Sequence, residues 1–322
     1  MAEWLVEAGI GEDRAVLVEN GQIIAARMAW PGNLAAGQIE DAVLTARAAG
    51  SRRGTARFAS GEEALVDGLP REASEGAALR LIITRAAIGE RGRHKRAQAR
   101  PTDAAPRPAR SLAEDLRHTG LAVKSVRQFD DWENIFTEAW SGEIAFPGGA
   151  LSITPTPAMT LIDVDGTLPP PGLALAAVPV VARAIGRLDL AGSIGIDFPT
   201  LSDKSDRRAV DDALMAGLGS WPHERTAMNG FGFVQLVARL ERASIMARIT
   251  GDRAGAAARQ LLRQAERVAD PGVLLLTAPP AVVGALKPDW LDELARRSGR
   301  IVRCVSAPGL ALGGGFAQAV SA

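Results

Sequence analysis

Residues 159–165 read Met-Thr-Leu-Ile-Asp-Val-Asp, and residues 193–198 read Ser-Ile-Gly-Ile-Asp-Phe. Both stretches are short apolar runs with an aspartate near the end, a pattern typical of buried strands. Between them, a proline-rich turn at 169–171 leads into an alanine-rich segment that predicts a helix to about Leu188. Strand, helix and strand in this order predict two neighbouring parallel strands joined by a crossover helix.

Three aspartates in these runs are candidate metal ligands. Asp163 and Asp165 are two residues apart, so on a strand they point to the same face. Asp197 ends the second strand, and ligand sites in open α/β sheets gather at the carboxyl ends of strands. Carboxylates that close repel one another unless a cation such as Mg²⁺ or Mn²⁺ shares them. We therefore expect a divalent metal site for phosphate chemistry; for a single pair such as Asp165-Gly166, a simple turn cap is the alternative.

Outward from this centre, helices and strands continue to alternate. Upstream we expect a helix at 130–140 and strands at 143–146 and 150–154. Downstream we expect the following, in order: a helix at 207–218, an apolar segment at 231–236, a helix at 254–268, and a small α/β layer of strand 272–277, helix 288–297 and strand 301–305. The glycines at 313–315 and the residues after them predict a flexible tail.

The first hundred residues have the pattern of short strands separated by turns. Asn20-Gly21 between two apolar runs predicts a tight hairpin, and 63–67 and 79–84 predict further strands. Residues 101–110 are proline-rich and suit an extended linker. The expected organisation is a β-rich module at 1–100, a linker at 101–117, a catalytic subdomain at 118–250 and a small α/β subdomain at 251–322.

Composition limits the class of protein without defining it. The chain has 322 residues, 47% of them hydrophobic, enough for one large domain or two to three small ones. Its 37 basic and 37 acidic residues balance, so net charge neither predicts nor excludes a nucleic-acid partner. No run suits a membrane span or a signal peptide, which predicts a cytoplasmic protein. The single cysteine, Cys304, excludes an internal disulfide and a cysteine-rich zinc site.

Basic residues are concentrated between Arg85 and Arg110, where only Glu90 and Asp103 oppose them. Clustered lysine and arginine can follow an RNA backbone, and a solvated basic linker is the equal alternative. The candidate RNA contacts in this segment are Arg91, Arg93, Lys95 and Arg96.

The residues around the aspartates resemble the RNase E/G family of endoribonucleases. The strand at 159–167, the helix from Leu175 and the strand Ile194–Phe198 match, in order and spacing, the family segments that carry its two catalytic aspartates. Asp165 departs from the pattern, since the family usually has asparagine there. The resemblance covers about 130–305, including the glycine-rich turn at 142–149 and Phe231-Gly232, with a weaker match at the N-terminal hairpin.

This resemblance implies a mixed α/β (α+β) fold: a β-rich RNA-binding module followed by a deoxyribonuclease-I-like catalytic subdomain with a mixed sheet and flanking helices. It also implies Mg²⁺-dependent hydrolysis of single-stranded RNA to 5′-phosphate and 3′-hydroxyl ends, with Asp163 and Asp197 as the catalytic residues. Segment 243–248 lacks the cysteines of the family's zinc link, so we expect no structural zinc, and any homo-oligomer must form without it. The short interval 101–128 predicts that the family's sensor of RNA 5′ ends is absent.

Further RNA contacts are open to two interpretations each. The family inserts a five-stranded OB barrel in its N-terminal module; here 37–88 is short, so we expect a reduced barrel, with Phe58 either stacking on a base or packing in the core. Arg207 and Arg208 either contact the scissile phosphate or lie on a helix surface. The three histidines show no metal-ligand spacing. The competing functions are a non-catalytic RNA-binding protein with this fold and a Mg²⁺-dependent phosphatase or nuclease for another substrate.

Overall fold

The computed structural model describes residues 1–90 and 93–321, and for Glu90, Arg93 and His94 it describes the backbone alone. The strands in these ranges are β1 Glu3–Ala8, β2 Asp13–Glu19, β3 Gln22–Ala29, β4 Ile39–Arg47, β5 Arg53–Phe58, β6 Glu63–Asp67, β7 Ala78–Arg85, β8 Ile88–Glu90, β9 Arg93–Lys95, β10 Ala97–Pro101, β11 Ala122–Val126, β12 Glu143–Phe146, β13 Gly149–Pro155, β14 Thr160–Gly166, β15 Gly192–Asp197, β16 Glu224–Arg225, β17 Phe233–Ala238, β18 Val273–Ala278, β19 Val302–Ser306 and β20 Phe316–Val320. The helices there are α1 Leu112–Arg117, α2 Trp132–Ser141, α3 Pro170–Arg187, α4 Lys204–Leu218, α5 Ile245–Gly251, α6 Arg253–Glu266, α7 Pro280–Ala285 and α8 Pro288–Ser298. None of these helices is both long enough and apolar enough to cross a bilayer.

A six-stranded sheet in the order β12-β13-β14-β15-β17-β16 forms the centre of the fold. Strands β14 and β15 are parallel and α3 connects them, which confirms the predicted crossover unit. Their outer neighbours β13 and β17 pair with them in the antiparallel sense, so the sheet is mixed. The chain is therefore a mixed α+β protein, as the sequence predicts.

One face of this sheet carries the main hydrophobic core. Ile162 and Val164 of β14 are buried, and Ile194 and Ile196 of β15 are buried beside them. Helix α3 covers these side chains with an apolar face that includes Val181, because its alanines, valines and leucines recur at helical spacing. Each fully buried valine, leucine or isoleucine side chain contributes about 1.5–3 kcal/mol to the stability of the fold. The sheet therefore has an inner face held by α3 and an outer face free to carry polar groups.

The N-terminal hairpin belongs to the main body of the protein. Asn20 and Gly21 have φ angles of 50° and 75°, which form the predicted tight turn between β2 and β3. Strand β1 pairs with β2 on one side and with β11 on the other, and β11 comes from beyond residue 101. Val16 and Ala26 of this sheet lie in the same core as α3. A single module at 1–100 is therefore wrong, because these strands pair and pack with later parts of the chain.

Strands β4, β5, β6, β7 and β10 close into a barrel in the order β10-β6-β5-β4-β7. Five strands is the number found in the OB fold, so the expectation of a reduced barrel is wrong. The sequence signal for β10 is weak because its inward residues are Ala97 and Ala99, and alanine is depleted in strands. Phe58 is 3% exposed and packs in the barrel core. Its interpretation as a stacking platform is wrong, and core packing is correct.

Residues 101–117 are more ordered than an extended linker. Pro101 belongs to β10, and the backbones of Ile39 and Arg107 exchange two hydrogen bonds of 2.9 and 3.0 Å. Ser111 and Glu114 form a capping box that begins α1. The linker prediction is therefore wrong at both ends of the segment. It depends on the prolines, whereas Pro101 ends a strand and Ser111 and Glu114 begin a helix.

The C-terminal subdomain is built on β18, which pairs with β19 in parallel and with β20 in the antiparallel sense. The predicted flexible tail is wrong for Phe316–Val320, since this segment is strand β20. Leu274 and Leu276 of β18 are buried against Leu261 and Leu262 of α6. This small layer contains the strand, helix and strand expected at 272–277, 288–297 and 301–305.

Buried charges connect the C-terminal subdomain to the N-terminal sheet. The carboxylate of Glu7 accepts hydrogen bonds from Arg14 Nη1 at 2.7 Å and from Arg263 Nε at 2.9 Å. All three side chains are at most 2% exposed. Arg263 also donates to the carbonyl of Phe129 at 2.5 Å. Because Arg14 also pairs with Glu12 at 2.5 Å, loss of Glu7 would leave Arg14 with one carboxylate and Arg263 with none among the described residues.

Candidate active site on the outer face of the sheet

Asp163 and Asp197 lie directly opposite each other on the parallel strands β14 and β15. Side chains of directly paired residues point to the same face of a sheet, and both aspartates are exposed while Ile162 and Ile196 beside them are buried. The structure therefore brings together the two aspartates that the sequence analysis singled out. Asp165 lies two residues further along β14, on the same face as Asp163.

The pair is part of a row of residues that crosses five strands, here called the carboxylate row. Backbone pairing places Glu143 opposite Ser152, Ser152 opposite Asp163, and Asp197 opposite Phe233. On the neighbouring row, Asp165 of β14 is opposite Ala150 of β13, and Ala150 is opposite Ala145 of β12. Small side chains beside Asp165 leave space above this part of the sheet.

Glycines allow close packing at both ends of this surface. A Cβ on Gly166 would lie 2.3 Å from the carbonyl oxygen of Gly148, so a side chain there would collide with backbone. A Cβ on Gly195 would lie 2.6 Å from Cζ of Phe233. The absence of a side chain at 195 therefore makes room for the Phe233 ring beside Asp197.

Electrostatic repulsion is built into the aspartate group. Partial burial raises the pKa of Asp163 above its ordinary range, and the negative charges of Asp165 and Asp197 raise it further. A hydrogen bond from the Val164 backbone acts in the opposite direction. Proximity of like charges in this way favours a bound cation, which would remove the repulsion.

The donor set fits a hard divalent cation. In residues 1–90 and 93–321, no three His, Cys, Asp or Glu side chains form a group already arranged to hold a metal. Mg²⁺, however, commonly takes one or two carboxylates and fills its other positions with water or phosphate oxygens. Asp163 and Asp197 supply such a pair, and Asp165 supplies a third carboxylate within electrostatic range of Asp163.

Arg207 and Arg208 have different environments at the start of α4. Arg207 Nη1 donates to the carbonyl oxygens of Leu201 at 2.5 Å and Ser202 at 2.8 Å, so its guanidinium holds the loop that follows β15. Arg208 is 83% exposed and lies 3.9 Å from Asp212, too far for a strong ion pair. Arg208 is therefore accessible to a phosphate, whereas Arg207 is engaged with the backbone.

Phe231 is an exposed aromatic residue that the sequence analysis did not single out for function. Its side chain is 80% exposed. The loop that carries it is held by Asn229, whose Oδ1 accepts from the backbone N–H groups of Phe231 and Phe233 at 2.9 and 3.1 Å. The backbone N–H of Phe198 donates to the carbonyl of Gly232, which ties this loop to the end of β15. An ordered loop thus presents an aromatic ring to solvent next to the strand that bears Asp197.

The described side chains of the basic candidates, Lys95 and Arg96, lie apart from the carboxylate row. Arg91 is outside the described residues, and Arg93 is described only as backbone in β9. Lys95 lines a small cavity of about 230 Å³ beside Met159 and Thr160, at the start of β14, whereas the aspartates lie towards its end. Arg96 is exposed and lies 3.5 Å from Glu63 of the barrel.

Ser152, Phe233 and Glu143 could not be recognised from sequence as neighbours of the aspartates. Each comes from a different strand, and only strand register shows that they share a row. The available signal was the alternation of exposed and buried residues in β13 and β17, which gives the face but not the partner.

The chain matches no protein-family model and no curated protein. The resemblance to the RNase E/G family therefore rests on the quoted segments alone, foremost the strand, helix and strand around Asp163 and Asp197.

Proposed function

We propose that this protein is a metal-dependent endoribonuclease that hydrolyses single-stranded RNA and leaves 5′-phosphate and 3′-hydroxyl ends. The observation that carries the proposal is the direct pairing of Asp163 with Asp197 on the outer face of the sheet. The choice of RNA and the polarity of the products come from the resemblance to the RNase E/G family.

Asp163 and Asp197 are the residues that would hold Mg²⁺ or Mn²⁺, with Asp165 beside them. When bound, such an ion neutralises a phosphodiester oxygen and lowers the pKa of a water molecule so that hydroxide attacks near neutral pH. The raised pKa of Asp163 supports this assignment, because it comes from partial burial and from the negative charges of Asp165 and Asp197. Asp165 adds negative charge where the related enzymes usually have a neutral amide.

Two exposed side chains are suited to holding RNA: Phe231 lies two residues before Phe233 of the carboxylate row, and Arg208 lies in α4, the helix that follows Asp197 in the chain. The ring of Phe231 is free to stack on a base, a contact that tolerates any sequence. The guanidinium of Arg208 is free to pair with a backbone phosphate. Arg207 would act indirectly, by fixing the loop between Asp197 and α4.

The five-stranded barrel is a second observation, independent of the carboxylate row, that supports RNA as the partner. OB barrels of five strands bind oligonucleotides on an outer strand face and its loops, and here Arg96 lies at the barrel surface near Glu63. The same observation favours a second candidate, a non-catalytic RNA-binding protein that retains the fold. The two candidates differ in whether RNA is cut when a divalent ion is present.

A substrate comparison tests the proposal. Purified full-length protein is incubated with end-labelled single-stranded RNA, with DNA of the same sequence and with a mononucleotide, each in Mg²⁺, Mn²⁺ or EDTA. We expect cleavage of RNA alone, only with a divalent ion, and products that carry a 5′-phosphate. Binding of RNA without cleavage under any ion would favour the non-catalytic candidate, and hydrolysis of the mononucleotide would favour a phosphatase.

A further inference from the structure

A cavity of about 790 Å³ lies at the junction of the barrel, the N-terminal sheet, α1 and the segment that follows β17. No residue of the carboxylate row lines it. Within the described residues its walls carry two carboxylates, Asp115 and Glu241, against six arginines: Arg27, Arg85, Arg110, Arg239, Arg242 and Arg248. The surroundings of this cavity, here called the arginine cavity, are strongly positive.

Part of this charge is compensated within the protein. Asp189, behind the cavity wall, accepts from Arg242 at 2.6 Å and lies 3.1 Å from Arg27. Glu241 lies 3.7 Å from Arg239 and 3.6 Å from Arg242. Two carboxylates, Asp189 and Glu241, thus form ion pairs with three arginines, Arg27, Arg239 and Arg242.

Arg248 lies outside these pairs. Its Nε atom is buried and has no hydrogen-bond partner, and its guanidinium makes no ion pair with any residue in the described ranges. Burial is the main cause that lowers the pKa of Arg248, and the charges of Asp189 and Glu12 offset this only in part. A buried N–H donor without a partner is unfavourable unless something else supplies the acceptor.

A second buried donor lines the same cavity. Nε1 of Trp4 is buried without a hydrogen-bond partner, while the face of its ring packs 5.5 Å from the Arg27 guanidinium. Both unpaired groups are N–H donors, so each needs an acceptor oxygen. A cavity with surplus positive charge and unused donors is complementary to an anion rich in oxygen atoms.

We propose that the arginine cavity binds a phosphate-bearing ligand of nucleotide size, with phosphate oxygens accepting from Arg248 and a further acceptor reaching Trp4 Nε1. Phosphate suits a cavity with several arginines because it accepts paired hydrogen bonds from guanidinium groups. The volume lies in the range of ligand pockets, roughly 300–1,000 Å³. The phosphate comes either from a free nucleotide or from an RNA chain, and the experiment separates these sources. The site does not depend on the proposed nuclease activity.

Titration calorimetry of the full-length protein in EDTA tests the site while any metal-dependent cleavage is off. The probes are inorganic pyrophosphate, adenosine 5′-monophosphate and a single-stranded RNA oligomer. Arg248→Met removes the cation and keeps the bulk, and Arg303→Met is the control at an exposed arginine of β19. We expect at least one probe to bind wild type and Arg303→Met alike, and to bind Arg248→Met more weakly by about tenfold or more.

Binding of pyrophosphate or the mononucleotide identifies a free phosphorylated ligand, whereas binding of RNA alone identifies an RNA phosphate. Trp4→Phe keeps an aromatic ring and removes the Nε1–H donor, so it provides a second variant if Arg248→Met does not fold. The proposal is overturned if no probe binds wild type at millimolar concentration, or if Arg248→Met and Trp4→Phe bind every probe as tightly as wild type.

Discussion

Asp163 of β14 is paired directly with Asp197 of the parallel strand β15, and both carboxylates point outward from the outer face of the sheet. Ile162 and Ile196, one residue earlier on each strand, are buried on the inner face. The strands are thus held by apolar packing on one side while they present like charges on the other. A bound divalent ion would relieve the repulsion between these charges, so we expect the stability of the protein to depend on metal.

The charge on Asp163 should destabilise the metal-free protein. Burial and the neighbouring aspartates raise its pKa above the ordinary value of 3.8, so the folded state holds this proton more tightly than the unfolded chain does. The resulting stability is fully present below pH 3.8 and is lost as pH rises through the folded-state pKa. Asp163→Asn should therefore raise the Tm at pH 7 in EDTA and reduce the loss of stability with rising pH in the acid range.

Differential scanning fluorimetry of wild type, Asp163→Asn and Asp212→Asn, over a pH series in EDTA, measures this effect. Asp212 is an exposed aspartate of α4 outside the carboxylate row, so its substitution controls for loss of one surface charge. A lower Tm for Asp163→Asn than for wild type at pH 7 would contradict the expected repulsion.

Asp165 should tune the affinity for the metal and not decide whether RNA is cut. Asp165→Asn removes one negative charge near the expected ion, and we expect Mg²⁺ to bind about tenfold more weakly, the order of one unit charge acting on a divalent ion across a few ångströms of solvent-exposed site. The measurement is the Mg²⁺ concentration at half-maximal cleavage rate. An unchanged midpoint would mean that the Asp165 carboxylate is not near the ion.

Phe231 should contribute to RNA binding and not to folding. Because its ring is 80% exposed, Phe231→Ala should leave the Tm unchanged. Loss of stacking on one base should weaken RNA binding by about 1–3 kcal/mol, or roughly 5- to 150-fold. Fluorescence anisotropy with labelled RNA in EDTA measures this, and Phe231→Trp should restore affinity. Equal affinity of Phe231→Ala and wild type would exclude a stacking role.

Glu7 should be essential for the stability of the junction between the N-terminal sheet and α6. Glu7→Ala leaves Arg263 buried without its carboxylate, while Arg14 keeps its pair with Glu12. Breaking such a buried pair costs about 3–5 kcal/mol. The control is Asp67→Ala, since Asp67 pairs with Arg53 where both are at least 70% exposed, and surface pairs contribute little. Urea denaturation that gives the same free energy of unfolding for Glu7→Ala and wild type would contradict the role of this network.

The parts of the fold that depend on local pattern could be predicted from sequence. Strand parity places Asp163 and Asp165 on one face, the segment order predicts the parallel pair with α3, and Asn20-Gly21 predicts the first hairpin. Pairing between distant segments could not be predicted, because alternation of apolar residues fixes a face and leaves the partner open. For this reason Ser152 and Phe233 were not recognised beside the aspartates.

Phe58 and strand β20 illustrate the same limit. The register of a barrel strand decides whether an aromatic side chain packs in the core or faces outward, where it can stack on a base. The sequence pattern alone leaves both positions open for Phe58. In β20, the preceding glycines suggested disorder, whereas the exposed edge of β18 provides the hydrogen bonds that order Phe316–Val320. For Arg207 the sequence leaves a phosphate contact and a helix-surface position open, and in the structure its guanidinium donates to the loop carbonyls.

Single-turnover cleavage of end-labelled single-stranded RNA by Asp197→Asn tests the central claim most directly. Asp292→Asn, the same substitution at an exposed aspartate of α8, is the control. RNA binding in EDTA shows whether Asp197→Asn is folded and still holds its substrate. We expect Asp197→Asn to bind RNA like wild type and to cut it more slowly by at least about a hundredfold in saturating Mg²⁺, while Asp292→Asn cuts normally. Cleavage by Asp197→Asn at the wild-type rate would contradict the assignment of Asp163 and Asp197 as a catalytic metal site.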